Sequence, residues 1–425
     1  MTKHTHLALL CAVVIIGLLI PPVLAEEASP EAGKYLYLSR NQGYAPEHPD
    51  IDGDMIVWED DRDGNQKEIY LGTMDKIQNL AGYTGERITY DPAFQEKPSI
   101  SGDYIVWQGN QSGKWDIYLY ERSKGEAERL TSDIGDQWLP AIHGDYIAWY
   151  DDSSGKTEIV LYDIAAGGVK DTIRCDARTT IPDSDTVEFK PALSDKYVAW
   201  VDKASERVYY YDIGAGKERG PISTSTERQS WPSLYGSLIV WEDYRAVGGN
   251  PDIYMRDLDD PSSEDRQITS DPFEQVSPAL SGKIIVWEDT RSKPRGIYLY
   301  DYDRKEEIPV YLSDDEYDEH LYPAISGNTV VWQRGRSPHS NLYIFIYSPG
   351  AVKPTLTSIE VTPAAPTVEI GGEIEFTATC YDEFGNIMTG IEIAWTSSDT
   401  TVGTIDQTGT FTALAGGVTT ITATA

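Results

Sequence analysis

The sequence predicts an all-β protein: a seven-bladed β-propeller followed by a small β-sandwich. Three observations predict it. A proline followed nine positions later by a tryptophan recurs seven times, at Pro49/Trp58, Pro98/Trp107, Pro140/Trp149, Pro191/Trp200, Pro232/Trp241, Pro278/Trp287 and Pro323/Trp332. Successive tryptophans are 41 to 51 residues apart, the period of one four-stranded propeller blade. Beyond Gly350 the repeat stops, and a Thr-, Ala- and Val-rich segment of short runs with turn signals takes over, as in a sandwich.

Taken in chain order, the first 25 residues read as a secretory signal. Lys3 precedes an apolar run from Leu7 to Ile20, and small residues follow near Val23-Leu24-Ala25. The run is short for a membrane span, and no later segment offers one, so the mature chain is expected to be secreted or displayed at the cell surface. Cys175 and Cys380 remain after processing and fall in different domains, which gives no disulfide framework.

Residues 34–349 are the expected propeller. Within each copy the pattern is P-x-[IL]-x-[GD]-x-x-[IVL]-[VA]-W. In the second, Pro98–Ser101 is expected to be a strand, Gly102-Asp103 a tight turn, Tyr104–Trp107 the second strand, Asp116–Tyr120 the third and Ala127–Thr131 the fourth. The glycine supplies the positive φ of a two-residue hairpin, and Asp195 takes its place in copy four. The tryptophans Trp58, Trp107, Trp149, Trp200, Trp241, Trp287 and Trp332 are expected to fill the space between blades. Copy seven lacks a fourth strand, and Lys34–Leu38 is expected to supply it, closing the ring and hiding its edges.

The candidate site is the face carrying the loops after each tryptophan. It would hold Glu59, Asp60, Asp61 and Asp63, then Glu242 and Asp243, then Glu288 and Asp289, with Arg62, Arg245 and Arg291 close behind. It would also hold the residues three before each proline, Gln95, Gln137, Glu188, Gln229, Gln275 and His320. The favoured reading of W-E-D-x-R is an ion-pair brace within a blade. The alternative is a ring of carboxylates for Ca2+, which takes six to eight oxygens; Asp60, Asp61 and Asp63 are the suggested ligands, and no other cofactor is implied. Asp314, Asp315 and Glu316 belong to an acidic loop, solvated or cation-binding. His48, His143 and His320 lie near blade starts, where some would point into the channel, without a metal-ligand spacing. Asn110-Gln111-Ser112 is a glycosylation sequon.

Net charge is -34, and no basic stripe interrupts it, so nucleic acid is excluded as a partner. No G-x-S-x-G elbow and no H-E-x-x-H occurs, and the chain is expected not to be an enzyme. The expected role is binding at the channel mouth, adhesion or envelope architecture, with an unidentified surface protein or glycan as partner. The alternatives are an extracellular polysaccharide lyase or glycosidase, and an adaptor binding a partner's peptide.

The units at 49–62, 232–245 and 278–291 resemble TolB-like propeller repeats, and more closely the repeats of surface proteins of methanogenic archaea. That resemblance implies an exported propeller and no particular active site. After a linker at 350–354, residues 355–425 resemble bacterial Ig-like group 2 domains through Val361-Thr-Pro363, Gly371-Gly372, Ala394–Asp399 and Gly409–Ala413. The family carries one more strand after the final I-T-A-T-A, so the resemblance implies an Ig-like β-sandwich short of its last strand.

Overall fold

The computed structural model describes residues 33–38, 46–64, 66–80, 83–174, 190–202, 204–246, 248–291, 295–311, 319–335, 340–348, 356–382, 387–388, 391 and 393–425. The signal segment 1–25, the linker 350–354, Cys175, Glu188 and the acidic loop Asp314, Asp315 and Glu316 lie outside the described residues. The chain divides into two compact units, one containing residues 33–349 and one containing 350–425.

The first unit is a ring of seven four-stranded antiparallel sheets. Blade 1 is Glu47–Asp52, Met55–Asp60, Glu68–Thr73 and Glu86–Arg87, paired in chain order. Blades 2 to 6 repeat that order. Blade 7 is His320–Ser326, Thr329–Arg334 and Asn341–Tyr347, and its outermost strand is the N-terminal Gly33–Tyr37, antiparallel to Asn341–Tyr347. The expected clasp therefore forms. The first strands of neighbouring blades touch one another all the way around, so they line the lumen.

Trp58, Trp107, Trp149, Trp200, Trp241 and Trp287 each pack on the preceding blade. Trp107 meets Val57, Ile69 and Leu71 of blade 1; Trp200 meets Ala148, Ile159 and Leu161 of blade 3; Trp287 meets Val240, Ile253 and Met255 of blade 5. All seven are buried. Six stand beside a tyrosine of the third strand in the same register, such as Trp58 and Tyr70 with centroids 6.0 Å apart.

In five blades the first strand begins three residues before the motif proline, in blade 1 two before it, and in blade 4 just after it. In six blades the ladder shifts register across the proline and the residue preceding it. Proline has no N–H to give a ladder, so it belongs in such a bulge on an inner edge. The preceding residue takes a positive φ: His48 (48°), Lys97 (55°), Leu139 (54°), Trp231 (46°), Ser277 (53°) and Tyr322 (54°). For a side chain with a Cβ this conformation costs roughly 1–2 kcal/mol. The hairpin glycines behave as expected, with Gly102 at φ 55°. Asp195 does not. It has no positive φ, because the turn of blade 4 is rebuilt around Ser194, whose Oγ accepts from Lys196 N and Tyr197 N.

A second device repeats without appearing in the motif. Thr89, Thr131 and Thr269, all buried, accept the backbone N–H of Ile69, Ile117 and Ile253 at 2.8–2.9 Å. The fourth strands of these blades are short, and the hydroxyl takes over where their ladders end.

The second unit is a β-sandwich of short strands. Leu356–Thr362, Thr377–Asp382 and Ile387–Met388 form one sheet, Glu373–Glu375, Thr410–Ala413 and Gly403–Ile405 another. Ile421–Thr424 pairs with Ala394–Ser397. Val361, Phe376, Trp395, Phe411 and Ile421 fill the core. Cys380 is buried in it as a free thiol.

If the clasp closes the ring, a chain beginning at residue 39 will unfold by calorimetry at a lower temperature than one beginning at residue 26. A peptide spanning residues 33–38, added in excess, will raise that midpoint. Equal midpoints for the two chains would show that the N-terminal strand adds no stability.

Candidate functional site

The acidic residues of the tryptophan loops turn inward. Asp60, Asp243 and Asp289 are buried. Each accepts the indole N–H of its own tryptophan, at 3.4, 2.9 and 3.0 Å. Each also holds an arginine, Arg62, Arg245 and Arg291 respectively. The guanidinium then lies over the third-strand tyrosine, 4.3 Å from Tyr70, 4.2 Å from Tyr254 and 4.4 Å from Tyr298, a cation–π contact. W-E-D-x-R is thus a brace inside the blade. Asp61 is half-buried. Asp63 is exposed and accepts from Tyr70 and Arg87. Asp60, Asp61 and Asp63 do not gather their oxygens into one cage.

Glu59, Glu242 and Glu288 are also buried, and they reach into the next blade. Each accepts the backbone N–H of the positive-φ residue there: Lys97 N at 2.6 Å, Ser277 N at 2.7 Å and Tyr322 N at 2.8 Å. Gln108 does the same for Leu139 N at 2.8 Å. These side chains are latches between blades and do not stand at an open mouth.

The described residues three before a proline, Gln95, Gln137, Gln229, Gln275 and His320, are placed inside the blade as well, because the bulge turns them away from the lumen. Gln95 accepts from Trp107 Nε1 at 2.6 Å, Gln229 donates to Asp243 at 3.0 Å, Gln137 to Ser153 at 2.9 Å and Gln275 to the Phe273 carbonyl at 2.7 Å. His320 accepts from Trp332 Nε1 at 2.8 Å. His143 lies at the far end of its strand, against the hairpin turn. Asn110 sits in the loop after its strand, with Oδ1 accepting from Phe94 N at 3.0 Å.

What fills the lumen is the set of residues preceding the prolines. His48 of blade 1 is their hub. Its Nδ1 lies 3.0 Å from Glu59 Oε1, its Nε2 lies 2.9 Å from Lys97 Nζ, and its ring faces that of Tyr322 at 4.6 Å. A neutral imidazole satisfies both contacts: Nδ1–H donates to the carboxylate, and Nε2 accepts from the ammonium. Lys67 donates to Glu59 at 2.6 Å and Glu47 at 2.7 Å. Asp50 of blade 1 approaches Lys190 of blade 4 at 3.9 Å; since these blades are not neighbours, the pair crosses the lumen.

Among the described residues the metal-capable cluster is Glu47, His48 and Glu59, with donor atoms within 4.8 Å of one another. The Lys67 ammonium occupies its centre, so the carboxylates already have their cation.

The buried acids titrate differently because their neighbours differ. Burial pushes the Glu59 carboxyl up, but the hydrogen bond from His48 and the charges of Lys67 and Lys97 outweigh it and hold it well below its ordinary range. Glu242 is pushed up to about 7 by burial, with Glu288 adding to the rise; the hydrogen bonds from Ser230 and Ser277 N and the charge of Arg228 oppose this without cancelling it. Glu288 is raised by burial too, opposed by Arg295 at 2.7 Å.

Residues 355–425 match the bacterial Ig-like domain (group 2) family. No curated protein sequence matches the chain. Among solved structures, an oligogalacturonate lyase in complex with manganese is similar at a TM-score of 0.53 and 12% identity, over 77% of this chain and 100% of that one. The β-propeller domain of the Trilobed protease from Pyrococcus furiosus gives 0.52 and 11%, over 72% and 96%. The acylaminoacyl peptidase from Pyrococcus horikoshii gives 0.50 and 11%, over 92% and 66%. TolB from Acinetobacter baumannii stands at 0.38. At these identities the likeness shows the propeller fold alone. The expectation that the chain is not an enzyme is corrected by them, since this fold is shared with oligogalacturonate lyases and peptidases. Among the described residues no helix is long and apolar enough to cross a membrane.

Two substitutions separate the latches. The proton on Glu242 is held up to about pH 7 in the folded chain, against an ordinary value of 4.5. Its stabilising effect is complete below pH 4.5 and lost as pH rises to 7, a difference of roughly 3 kcal/mol. Glu242→Gln, which copies Gln108, is therefore expected to equal the wild type near pH 4.5 and to be more stable at pH 8 in urea titrations. Glu59→Ala strips the partner from Lys67 and from Lys97 N, and is expected to cost about 3–5 kcal/mol at pH 7 in the same titrations. The distinction between the two latches fails if both variants respond alike across this pH range.

Proposed function

We propose that this chain is an exported propeller that captures a ligand in its lumen, with the Ig-like unit as the module that displays it at the cell surface. One observation carries the reading. Across seven blades the framework is repeated, with proline, tryptophan and, in six blades, the hairpin glycine at fixed places. The residue before the proline is not repeated in the same way: His48, Lys97, Leu139, Lys190, Trp231, Ser277 and Tyr322. In six blades the backbone is bent at this residue to project a side chain inward, and the chemistry differs nearly every time. A purely structural lining has no use for such variety, whereas asymmetric polar and aromatic groups in a concave site are what ligand recognition requires. The leader-like N-terminus and the acidic composition support export.

A second reading rests on the Glu59–His48–Lys97 chain. A carboxylate orients an imidazole, which in turn holds an amine in the lumen. That arrangement can move a proton at the Lys97 nitrogen, so turnover of the captured ligand is the alternative to capture alone.

The test is a panel of neutral and acidic cell-envelope oligosaccharides, followed by tryptophan fluorescence. Binding is expected, with Tyr322→Ala and Trp231→Ala each weakening it at unchanged unfolding midpoint. Binding that ignores both substitutions, or no binding across the panel, would remove the lumen as the capture site. New reducing ends or unsaturated products, lost in His48→Asn, would decide for turnover.

A further inference from the structure

The last residue of each blade's second strand faces the first residue of its third, and the acids at these places are paired with arginines in every blade that has them except blade 3. In blade 1 the facing residues are Asp60 and Glu68, and Arg62 and Arg87 hold one carboxylate each. Arg129 holds Asp116 of blade 2, Arg245 holds Asp243 of blade 5, and Arg291 holds Asp289 of blade 6. In blade 4 the residue facing Asp202 is itself an arginine, Arg207. Blade 3 sets Asp151 against Glu158. Among the described residues no basic side chain forms an ion pair with either; their side chains accept only from Ser153 N and Ser154 Oγ. Like charges directly opposite on neighbouring strands repel.

The rest of the brace is present in blade 3. Asp151 Oδ1 accepts from Ser153 N at 2.7 Å, as Asp243 Oδ1 does from Arg245 N at 3.1 Å. In blades 1, 5 and 6 the other carboxylate oxygen accepts from both the indole and the guanidinium. In blade 3 Asp151 Oδ2 has no donor among the described residues, and the buried indole N–H of Trp149 has no acceptor. Gln137 is buried beside them; its Nε2 donates to Ser153 Oγ at 2.9 Å, and its Oε1 has no partner. Trp149 packs on blade 2 as the other tryptophans pack on their neighbours, which aims its N–H at the same place. Two substitutions leave these groups open. Ser153 stands where Arg62, Arg245 and Arg291 stand, four residues after the tryptophan. Val160 stands in the register of the third-strand tyrosines. Asp151, Ser153 and Glu158 are half-buried, so this slot opens to solvent. Arg174, opposite Glu158 on the outermost strand, is exposed and makes no ion pair with it.

We propose that blade 3 binds an arginine side chain of a partner protein, whose guanidinium enters the slot beside Trp149 and completes the brace that blades 1, 5 and 6 build from their own chain. A guanidinium is planar, donates from a fixed fork to carboxylates and stacks on aromatic rings, which a lysine ammonium does not. Its N–H groups suit Asp151 Oδ2, Glu158 and Gln137 Oε1. Asp136 and Asp152 adjoin the slot, with Asp152 Oδ1 accepting from Asp136 N at 2.7 Å, and the net charge of -34 attracts a basic segment. Ile134, 83% exposed in the same loop as Asp136, offers an apolar contact to the residues flanking that arginine. The site lies in the wall of blade 3 and is independent of capture in the lumen.

Isothermal calorimetry of the full chain at low ionic strength tests it. The probes are short peptides identical except for a central arginine, lysine or citrulline, together with free arginine. The arginine peptide is expected to bind, the lysine peptide at least about tenfold more weakly, and the citrulline peptide, which keeps the shape without the charge, not at all. Asp151→Asn is expected to weaken binding of the arginine peptide at least about tenfold. Ser153→Arg supplies the guanidinium from within, as blade 5 does, and is expected to abolish binding while raising the unfolding midpoint. Equal binding of the three peptides, no binding of the arginine peptide, or binding unchanged in Asp151→Asn overturns the proposal. A lowered midpoint in Ser153→Arg overturns it as well, because the slot then does not take a guanidinium. Free arginine binding more tightly than the peptide overturns the choice of a protein partner.

Discussion

The hydrogen bond from one blade's acceptor to the next blade's bent backbone is the interaction on which the rest depends. Glu59, Gln108, Glu242 and Glu288 each reach across a blade boundary to a main-chain N–H that the proline bulge has turned out of its own ladder. A buried N–H without a partner is costly, so at these four boundaries the latch supports the bulge. Together they hold a non-glycine residue in a left-handed conformation, and that conformation sends its side chain into the lumen. The contents of the lumen are therefore fixed by a bond made in the wall. Val201, the apolar residue at this position in blade 4, offers no acceptor, yet Trp231 of blade 5 keeps its positive φ of 46°, whereas Lys190, before the proline of blade 4, has none.

Much of the architecture could be read from the residues themselves. The proline–tryptophan spacing gave seven blades because a tryptophan between sheets and a glycine in a hairpin are demands of geometry, met by few residue types. The clasp could be read because blade 7 ran out of strand-like sequence and Lys34–Leu38 supplied it. The site was harder to read for a specific reason. Glu and Asp look alike in a loop sequence whether they face water or a buried arginine, and W-E-D-x-R carries no mark of which way it turns. Only pairing with the next blade shows that Glu59 and Asp60, adjacent in sequence, serve different boundaries. The His48–Lys97 contact joins residues 49 positions apart, and its one visible sign was that both precede a motif proline.

The same latch position also shows how charge is managed in an acidic chain. Glu59 stays ionised because Lys67, Lys97 and His48 surround it. Glu242, in an equivalent place, lacks those neighbours and holds its proton far more tightly. Gln108 avoids the question with an amide. One geometric task is thus solved by three electrostatic states, and the lumen carries a charge pattern that changes from blade to blade around a uniform wall.

The clasp has a consequence for the order in which the molecule is made. The strand that completes blade 7, Gly33–Tyr37, is synthesised before any of the blades, while its partner Asn341–Tyr347 comes about three hundred residues later. A chain made N-terminus first therefore delivers its closing piece at the start and must keep it unpaired until the seventh sheet arrives. Six blades can stack while synthesis continues, but the ring shuts only once the seventh has been made. Closure is accordingly a late event, and a chain stalled partway presents an open sheet edge to whatever surrounds it.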